Sequence, residues 1–317
     1  MSADGDRLDV QTTVEDRLIR RVLASAPVAL PLRVQPGDDA VVLSDGTAIT
    51  VDAMVEGVHF AAETPAEAVG WKVLAISVSD LAAMGARPSW ALLALSLPDG
   101  DGAWSEGFAR GFAEAARTFS ISLIGGDTTG SPSLRVVSVT LGGRAASPPL
   151  TRAGARPGDR VWVTGTLGLA GLGWCTTTPP PEALDALHRP VPPLELALDL
   201  AEQGLATAAM DLSDGLAADL PRLCRASRVG AQILPASLPA APVVADHPDR
   251  LALQVGGGED YQLLFTAPEA HDGAVEALAR HHGVRVTAIG HCTANRAVEL
   301  VGQCWPAALF THFGRAS

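Results

Sequence analysis

Aspartates recur along this chain at the ends of apolar runs, beside glycine, serine or threonine, where a carboxylate can be aimed at a site. Asp38 and Asp39 precede one such run, and Asp52 sits inside another. Asp80 follows Ile76-Ser77-Val78-Ser79, Asp127 follows Ile124-Gly125-Gly126, and Asp211 and Asp214 bracket Leu212-Ser213. A single aspartate at a turn is most often a cap or turn residue. Asp52 differs, because a carboxylate between Val51 and Ala53 is expensive to bury unless it is paired or metal-bound. As a set these residues fit hard-cation sites, since Mg2+ takes oxygen ligands, keeps several waters and uses one or two carboxylates per ion.

Other chemistries lack their signatures. The chain has 317 residues and a formal charge of -12, which argues against reading a phosphate backbone and so against a nucleic-acid partner. An acidic protein can hold a polyphosphate only with cations between the like charges. There is no G-x-x-x-x-G-K-[ST] run, and the single lysine, Lys72, falls in a helical stretch, so P-loop chemistry is excluded. A dinucleotide fingerprint, an H-E-x-x-H pair and a G-x-S-x-G elbow are also missing. Cys175, Cys224, Cys292 and Cys304 are too few and too scattered for a disulfide framework or a thiolate zinc site. The N-terminal MSADGDRLDVQTTVEDR has no apolar core of a signal peptide, and no run of about 18 apolar residues follows, so the expectation is a cytoplasmic chain with no membrane partner.

The elements that must position the aspartates can be read from periodicity. Val14–Ala26 has apolar residues at helical spacing behind a Thr12/Glu15 capping box. Ala40–Leu43 and Thr47–Val55 flank Ser44-Asp45-Gly46 as a hairpin. A helix over Pro65–Met84, a strand over Ser89–Leu97 and a helix over Trp104–Phe119 follow. Strands Ser120–Ile124 and Leu134–Gly142 then flank a Gly-Asp-Thr-Thr-Gly loop. From Gly142 to Asp159 the periodicity gives way to Gly, Pro and Arg, which marks a domain junction. The second half predicts strands Arg160–Thr164, Ala208–Asp211, Leu251–Val255, Tyr261–Thr266 and Val284–Ile289. Its helices are predicted near Gly168–Cys175, Pro193–Gly204, Leu216–Ser227 and Ala270–His282, with a Gly-rich loop at Gly256–Tyr261. The expectation is an α/β (α+β) chain of two domains, 1–148 and 149–317.

Several segments, in order, resemble the thiamine-monophosphate kinase family: Gly37-Asp38-Asp39-Ala40, Val55-Glu56-Gly57-Val58-His59-Phe60, Ser79-Asp80-Leu81-Ala82-Ala83-Met84-Gly85-Ala86 and Gly125-Gly126-Asp127-Thr128-Thr129. Thr151-Arg152-Ala153-Gly154-Ala155, Ser213-Asp214-Gly215-Leu216, Gly257-Gly258-Glu259-Asp260-Tyr261 and a terminal aromatic beside His312-Phe313 continue it over nearly the whole chain. The resemblance implies the AIR synthetase/selenophosphate synthetase-like fold: an N-terminal mixed sheet that dimerises, and a C-terminal α/β domain that closes the active site.

It further implies phosphorylation of thiamine monophosphate to thiamine diphosphate, with ATP as co-substrate and several Mg2+ ions, in a homodimer. By resemblance the metal ligands are Asp39, Thr50, Val51, Asp52, Asp80, Asp127, Asp211 and Asp214. Val51 replaces the family's usual hydroxyl residue and so offers a backbone carbonyl only. Gly126, Asp127, Arg152 and Ser213 correspond to ATP-binding positions, and Asp52, Asp127 and Arg152 to the catalytic set. His59, Glu259 and Phe310 correspond to residues facing thiamine monophosphate, with Leu309 replacing the family's usual glycine before the aromatic. Two alternatives stand beside this reading: another ATP-dependent enzyme of the same superfamily, and a non-catalytic dimeric nucleotide/metal-binding module. Against the first, the N-terminal region lacks a cysteine nucleophile and the chain ends FGRAS without a terminal cysteine.

Overall fold

The computed structural model describes residues 14–26, 29–98 and 102–306. The first half carries helix α1 (Val14–Ser25), strands β1 (Leu32–Val34), β2 (Val41–Leu43) and β3 (Thr47–Val55), helix α2 (Ala66–Ala83), strand β4 (Ala86–Leu97), helix α3 (Gly102–Thr118) and strands β5 (Ser122–Gly130) and β6 (Val136–Ala145). These six strands form one mixed sheet in the order β1-β2-β3-β6-β4-β5, parallel only between β4 and β5.

The second half runs β7 (Arg160–Thr164), α4 (Leu169–Cys175), α5 (Pro181–His188), α6 (Leu194–Glu202), β8 (Ala208–Leu212), α7 (Leu216–Ser227), β9 (Gly230–Ile233), α8 (Pro242–Ala245), α9 (Arg250–Gly256), β10 (Gln262–Ala267), α10 (Asp272–His282), β11 (Val286–Thr293) and β12 (Val298–Leu300). Its sheet is β12-β9-β11-β7-β10-β8. Among the described residues no helix is long and apolar enough to cross a membrane.

Helix α2 is the element on which both halves close. Its sequence, AEAVGWKVLAISVSDLAA, has no polar face, the pattern of a helix covered all round. One side lies on β3 and β6, another on α3, and a third meets β8 and β10 of the second sheet. One continuous core therefore contains Val73, Leu74 and Leu81 of α2 together with Trp162, Leu263 and Phe265 of the second half. The crossing with α3 is close because glycines allow it. A Cβ on Gly111 would lie 1.9 Å from the Glu67 carbonyl oxygen, and one on Gly70 2.2 Å from that of Phe108.

Three expectations are corrected and one helix is added. Residues 251–255 are helical, inside α9, because Leu-Ala-Leu-Gln-Val is a short apolar run whose period does not separate buried helix from buried strand. The Gly-Gly-Asp-Thr-Thr-Gly segment is not a loop: β5 carries it, paired in parallel with β4. Residues 142–145 still belong to β6, so regular structure extends into the Gly/Pro/Arg-rich stretch. Helix α5, behind Pro179-Pro180-Pro181, had no counterpart in the periodicity.

Candidate active site

Strand β3 and helix α2 bring the first carboxylates together by period. Thr50 and Asp52 lie two residues apart on the strand face turned toward α2, and Ser77 and Asp80 lie three apart on the helix. Thr50 Oγ1 donates to Asp80 Oδ2 at 2.5 Å, and Ser77 Oγ donates to Asp52 Oδ2 at 2.7 Å. Val51 projects from the opposite face with its side chain 65% exposed, leaving its backbone as its only polar offering.

The second half supplies the rest. Asp211 on β8 is 4% exposed, and carboxylate oxygens of Asp39, Asp80 and Asp211 all lie within 4.8 Å of one another. Arg152, just past the junction, spans the two halves. Its backbone N–H donates to both carboxylate oxygens of Asp38 at 3.2 Å, and its guanidinium donates to Asp39 Oδ1 from Nε and Nη2. Ser227 Oγ holds the Arg152 carbonyl at 2.7 Å, fixing the clamp to α7.

Burial and crowding of like charge act on this cluster together. Asp80 is driven well above the usual carboxylate range by desolvation, then by Asp52, Asp211 and Asp39. Desolvation and Asp39 do the same to Asp211. Burial raises Asp39 against the lowering influence of Arg152. Asp52 rises to about 6 by burial, opposed by the Ser77 hydrogen bond, and Asp38 to about 6 by burial and the charge of Asp39. Asp39 Oδ2 is buried with no hydrogen-bond partner. A buried carboxylate oxygen without a donor, on a residue whose carboxylate gathers with two more, fits a cation-oxygen bond.

The cluster opens into a cleft of about 890 Å3, lined among others by Asp52, Asp80, Arg152, Asp211, Ser213, Asp214 and Glu259. Asp214 lines it with its carboxylate bound by Arg222 Nη1 at 2.6 Å, and the same nitrogen donates to Asp219 at 2.8 Å. Glu259 arrives on the Gly-rich loop, whose N–H groups at Glu259 and Tyr261 donate to the carbonyls of Ser213 and Leu212. Its neighbour Asp260 points away and accepts the Gly168 N–H at the start of α4. A second, apolar cavity of about 630 Å3 adjoins, with Met54, Phe60, Lys72, Trp174, Leu187 and His188 in its wall. His59 lines both spaces, its Nδ1 accepting the Val55 N–H at 3.0 Å.

Two candidate residues stand apart from this gathering. Asp127 and Gly126 lie on the edge strand β5, exposed along its full length, and line neither space. Phe310 and Leu309 fall outside the described residues. The site residues that the sequence reading passed over are Lys72 and Arg222. A lysine in an otherwise apolar helix was the available signal for the first.

The sequence matches the AIR synthase related protein N-terminal domain over residues 37–145 and the C-terminal domain over residues 156–303. The thiamine-monophosphate kinase of Escherichia coli K12 is 40% identical over 278 residues, 82% of this chain and 84% of that protein. The chain belongs to the thiamine-monophosphate kinase family. The fold agrees: the thiamine-monophosphate kinase of Stenotrophomonas maltophilia K279a superposes with a TM-score of 0.75 at 38% identity, covering 92% of this chain and 98% of that one. AaThiL complexed with AMPPCP and TMP superposes with a TM-score of 0.81 at 29% identity, covering 95% and 98%. As in those thiamine-monophosphate kinases, the two-domain α/β architecture is that of the AIR synthase related fold.

Proposed function

We propose that this chain transfers the γ-phosphoryl group of ATP to the phosphate of thiamine monophosphate, giving thiamine diphosphate and ADP without a phosphoenzyme. The observation that carries the reading is the convergence of Asp39, Asp80 and Asp211 from both halves beside an apolar cavity, in a chain of this family. The acceptor phosphate, with a second pKa near about 6, is largely dianionic at neutral pH and needs no strong general base. The cleft offers carboxylates and arginines to this reaction.

The difficulty is electrostatic. Two phosphate charges about 4 Å apart repel by about 4 kcal/mol at an effective dielectric near 20, and several such pairs must approach together. We assign Asp39, Asp52, Asp80 and Asp211 to hold Mg2+, with Thr50, the Val51 carbonyl, Asp127 and Asp214 as further ligand positions. Bound there, Mg2+ supplies the positive charge that neutralises the two substrates and stabilises the transferring group. Arg152 orients Asp39 and adds charge at the cleft. Ser213 and Gly126 are assigned to ATP. His59, Glu259 and Phe310 are assigned to the thiamine moiety.

We further infer a homodimer paired through the first sheet, with residues 1–148 as the dimerising domain and 149–317 as the domain that closes the site. Strand β5 is an edge strand with Leu123 50% and Ile124 62% exposed, an uncovered apolar edge of the kind a second copy would cover. Asp127 and Gly126 lie on that strand and would stand at the junction of two copies. A cytoplasmic location, where ATP is available, fits this chemistry.

The direct test incubates the purified chain with ATP, Mg2+ and thiamine monophosphate and follows ADP and thiamine diphosphate together. Equal amounts of both products, dependent on thiamine monophosphate and lost with EDTA, are expected. ADP release that ignores thiamine monophosphate would overturn the reading in favour of another acceptor.

A further inference from the structure

Lys72 is the only lysine of the chain, and it is 4% exposed. Its Nζ stands 2.5 Å from Glu259 Oε2, so an ammonium on α2 of the first half meets a carboxylate on the Gly-rich loop of the second. Glu259 is held from its backbone as well: φ is +63°, in the left-handed region, and its N–H donates to the Ser213 carbonyl at 2.7 Å. Oε2 is buried and takes no other hydrogen bond among the described residues, so the Lys72 ammonium is what faces its charge. Lys72 lines the apolar cavity and Glu259 lines the acidic cleft, so the ion pair forms part of the wall between them.

We infer that Lys72 is the positioning residue for recognition of the thiamine moiety: by pairing with Oε2 it holds the Glu259 carboxylate in the wall of the cleft, where that carboxylate meets the substrate's cationic ring. A buried carboxylate without a partner protonates or turns toward water, and either change removes an anion that could select a cationic heteroaromatic ring. Of the four arginines lining the cleft, Arg152 pairs with Asp38 and Asp39 and Arg222 with Asp214 and Asp219, whereas the ion pair of Glu259 is with Lys72. Lys72 is therefore the cation that orients the Glu259 carboxylate, while the loop backbone sets where that carboxylate stands.

The inference rests on the assignment of Glu259 to thiamine monophosphate, and the two can fail separately. Steady-state kinetics are measured for Lys72→Met, Glu259→Gln and the double variant in the full chain, varying thiamine monophosphate and ATP in turn. Each single variant is expected to raise KM for thiamine monophosphate about tenfold or more while KM for ATP stays within about twofold. The double variant is expected to match Glu259→Gln rather than multiply the two losses. Lys72→Met leaves a buried charge unpaired and should lower the melting temperature; the double variant, with neither charge, should recover it but not the KM. Recovery of stability without recovery of KM separates recognition from folding. Losses that multiply in the double variant, or equal losses on both substrates in Lys72→Met, would overturn the positioning role. If Glu259→Gln lowers affinity while Lys72→Met is silent, only that role falls. An unchanged KM in Glu259→Gln would instead remove Glu259 from the substrate site and the inference with it.

Discussion

Asp211→Asn should abolish turnover and at the same time stabilise the metal-free protein. The carboxylate oxygens of Asp39, Asp80 and Asp211 lie within 4.8 Å of one another. At that separation and an effective dielectric near 20, each ionised pair repels by about 3.5 kcal/mol. The metal-free cluster relieves this by taking up protons, which is why Asp80 and Asp211 are pushed well above the usual carboxylate range. Holding one such proton at pH near 7 against an ordinary carboxylate value costs about 4 kcal/mol, which caps what removing the charge can return. Arg152 already offsets part of the repulsion on Asp211, and Ser79 hydrogen-bonds to its carboxylate. A net gain of about 1–3 kcal/mol remains, a rise in melting temperature of a few degrees in EDTA. With Mg2+ the order should reverse, because the variant has lost a ligand. Activity at saturating Mg2+ should fall by about 100-fold or more. The measurements are thermal melts of both proteins in EDTA and in Mg2+, and thiamine monophosphate-dependent ADP release. A variant that is less stable than wild type in EDTA, or one that retains activity, would refute the view that this trio is a strained cation site.

The stabilisation by Mg2+ should depend on pH. Asp38 and Asp52 rise from 3.8 to about 6 in the folded metal-free chain, so between those values the folded state binds more protons than the unfolded one and stability falls as pH rises. Mg2+ competes with those protons, and the melting-temperature gain it confers should be larger near about pH 7.5 than near about pH 5.5; a flat profile would exclude the coupling. Ile124→Glu, on the exposed edge strand β5, should convert a dimer to a monomer in multi-angle light scattering. An unaltered mass would place the interface elsewhere. Gly126→Ala would set a Cβ 1.8 Å from the Leu93 carbonyl oxygen and should cost about 1–3 kcal/mol in thermal or denaturant unfolding by prising β5 from β4. Asp45→Asn, in the β2–β3 turn where its carboxylate accepts the Thr47 N–H at 2.9 Å, should leave activity unchanged.

The sequence alone determined the alternation of strands and helices in both halves, the placement of aspartates beside small residues, and a helix, α2, with no polar face. These are local properties, carried by period and by the chemistry of neighbours. Tertiary structure decided which aspartates meet. Asp39, Asp80 and Asp211 come from the turn before β2, the end of α2 and strand β8, and converge only because the second sheet closes over α2. It also parted Glu259 from Asp260: adjacent acids in one loop, one lines the cleft and the other accepts the Gly168 N–H at α4. Asp127, grouped with the other aspartates by its neighbours, stands on an exposed edge strand outside the cleft of its own chain. Lys72 stood out in its apolar helix, but its partner, Glu259 at 2.5 Å, was supplied by the fold. The reason is the same in each case. A side chain's intrinsic chemistry is written in the residue, but its charge state and its target depend on what is buried against it, and those neighbours arrive from distant parts of the chain.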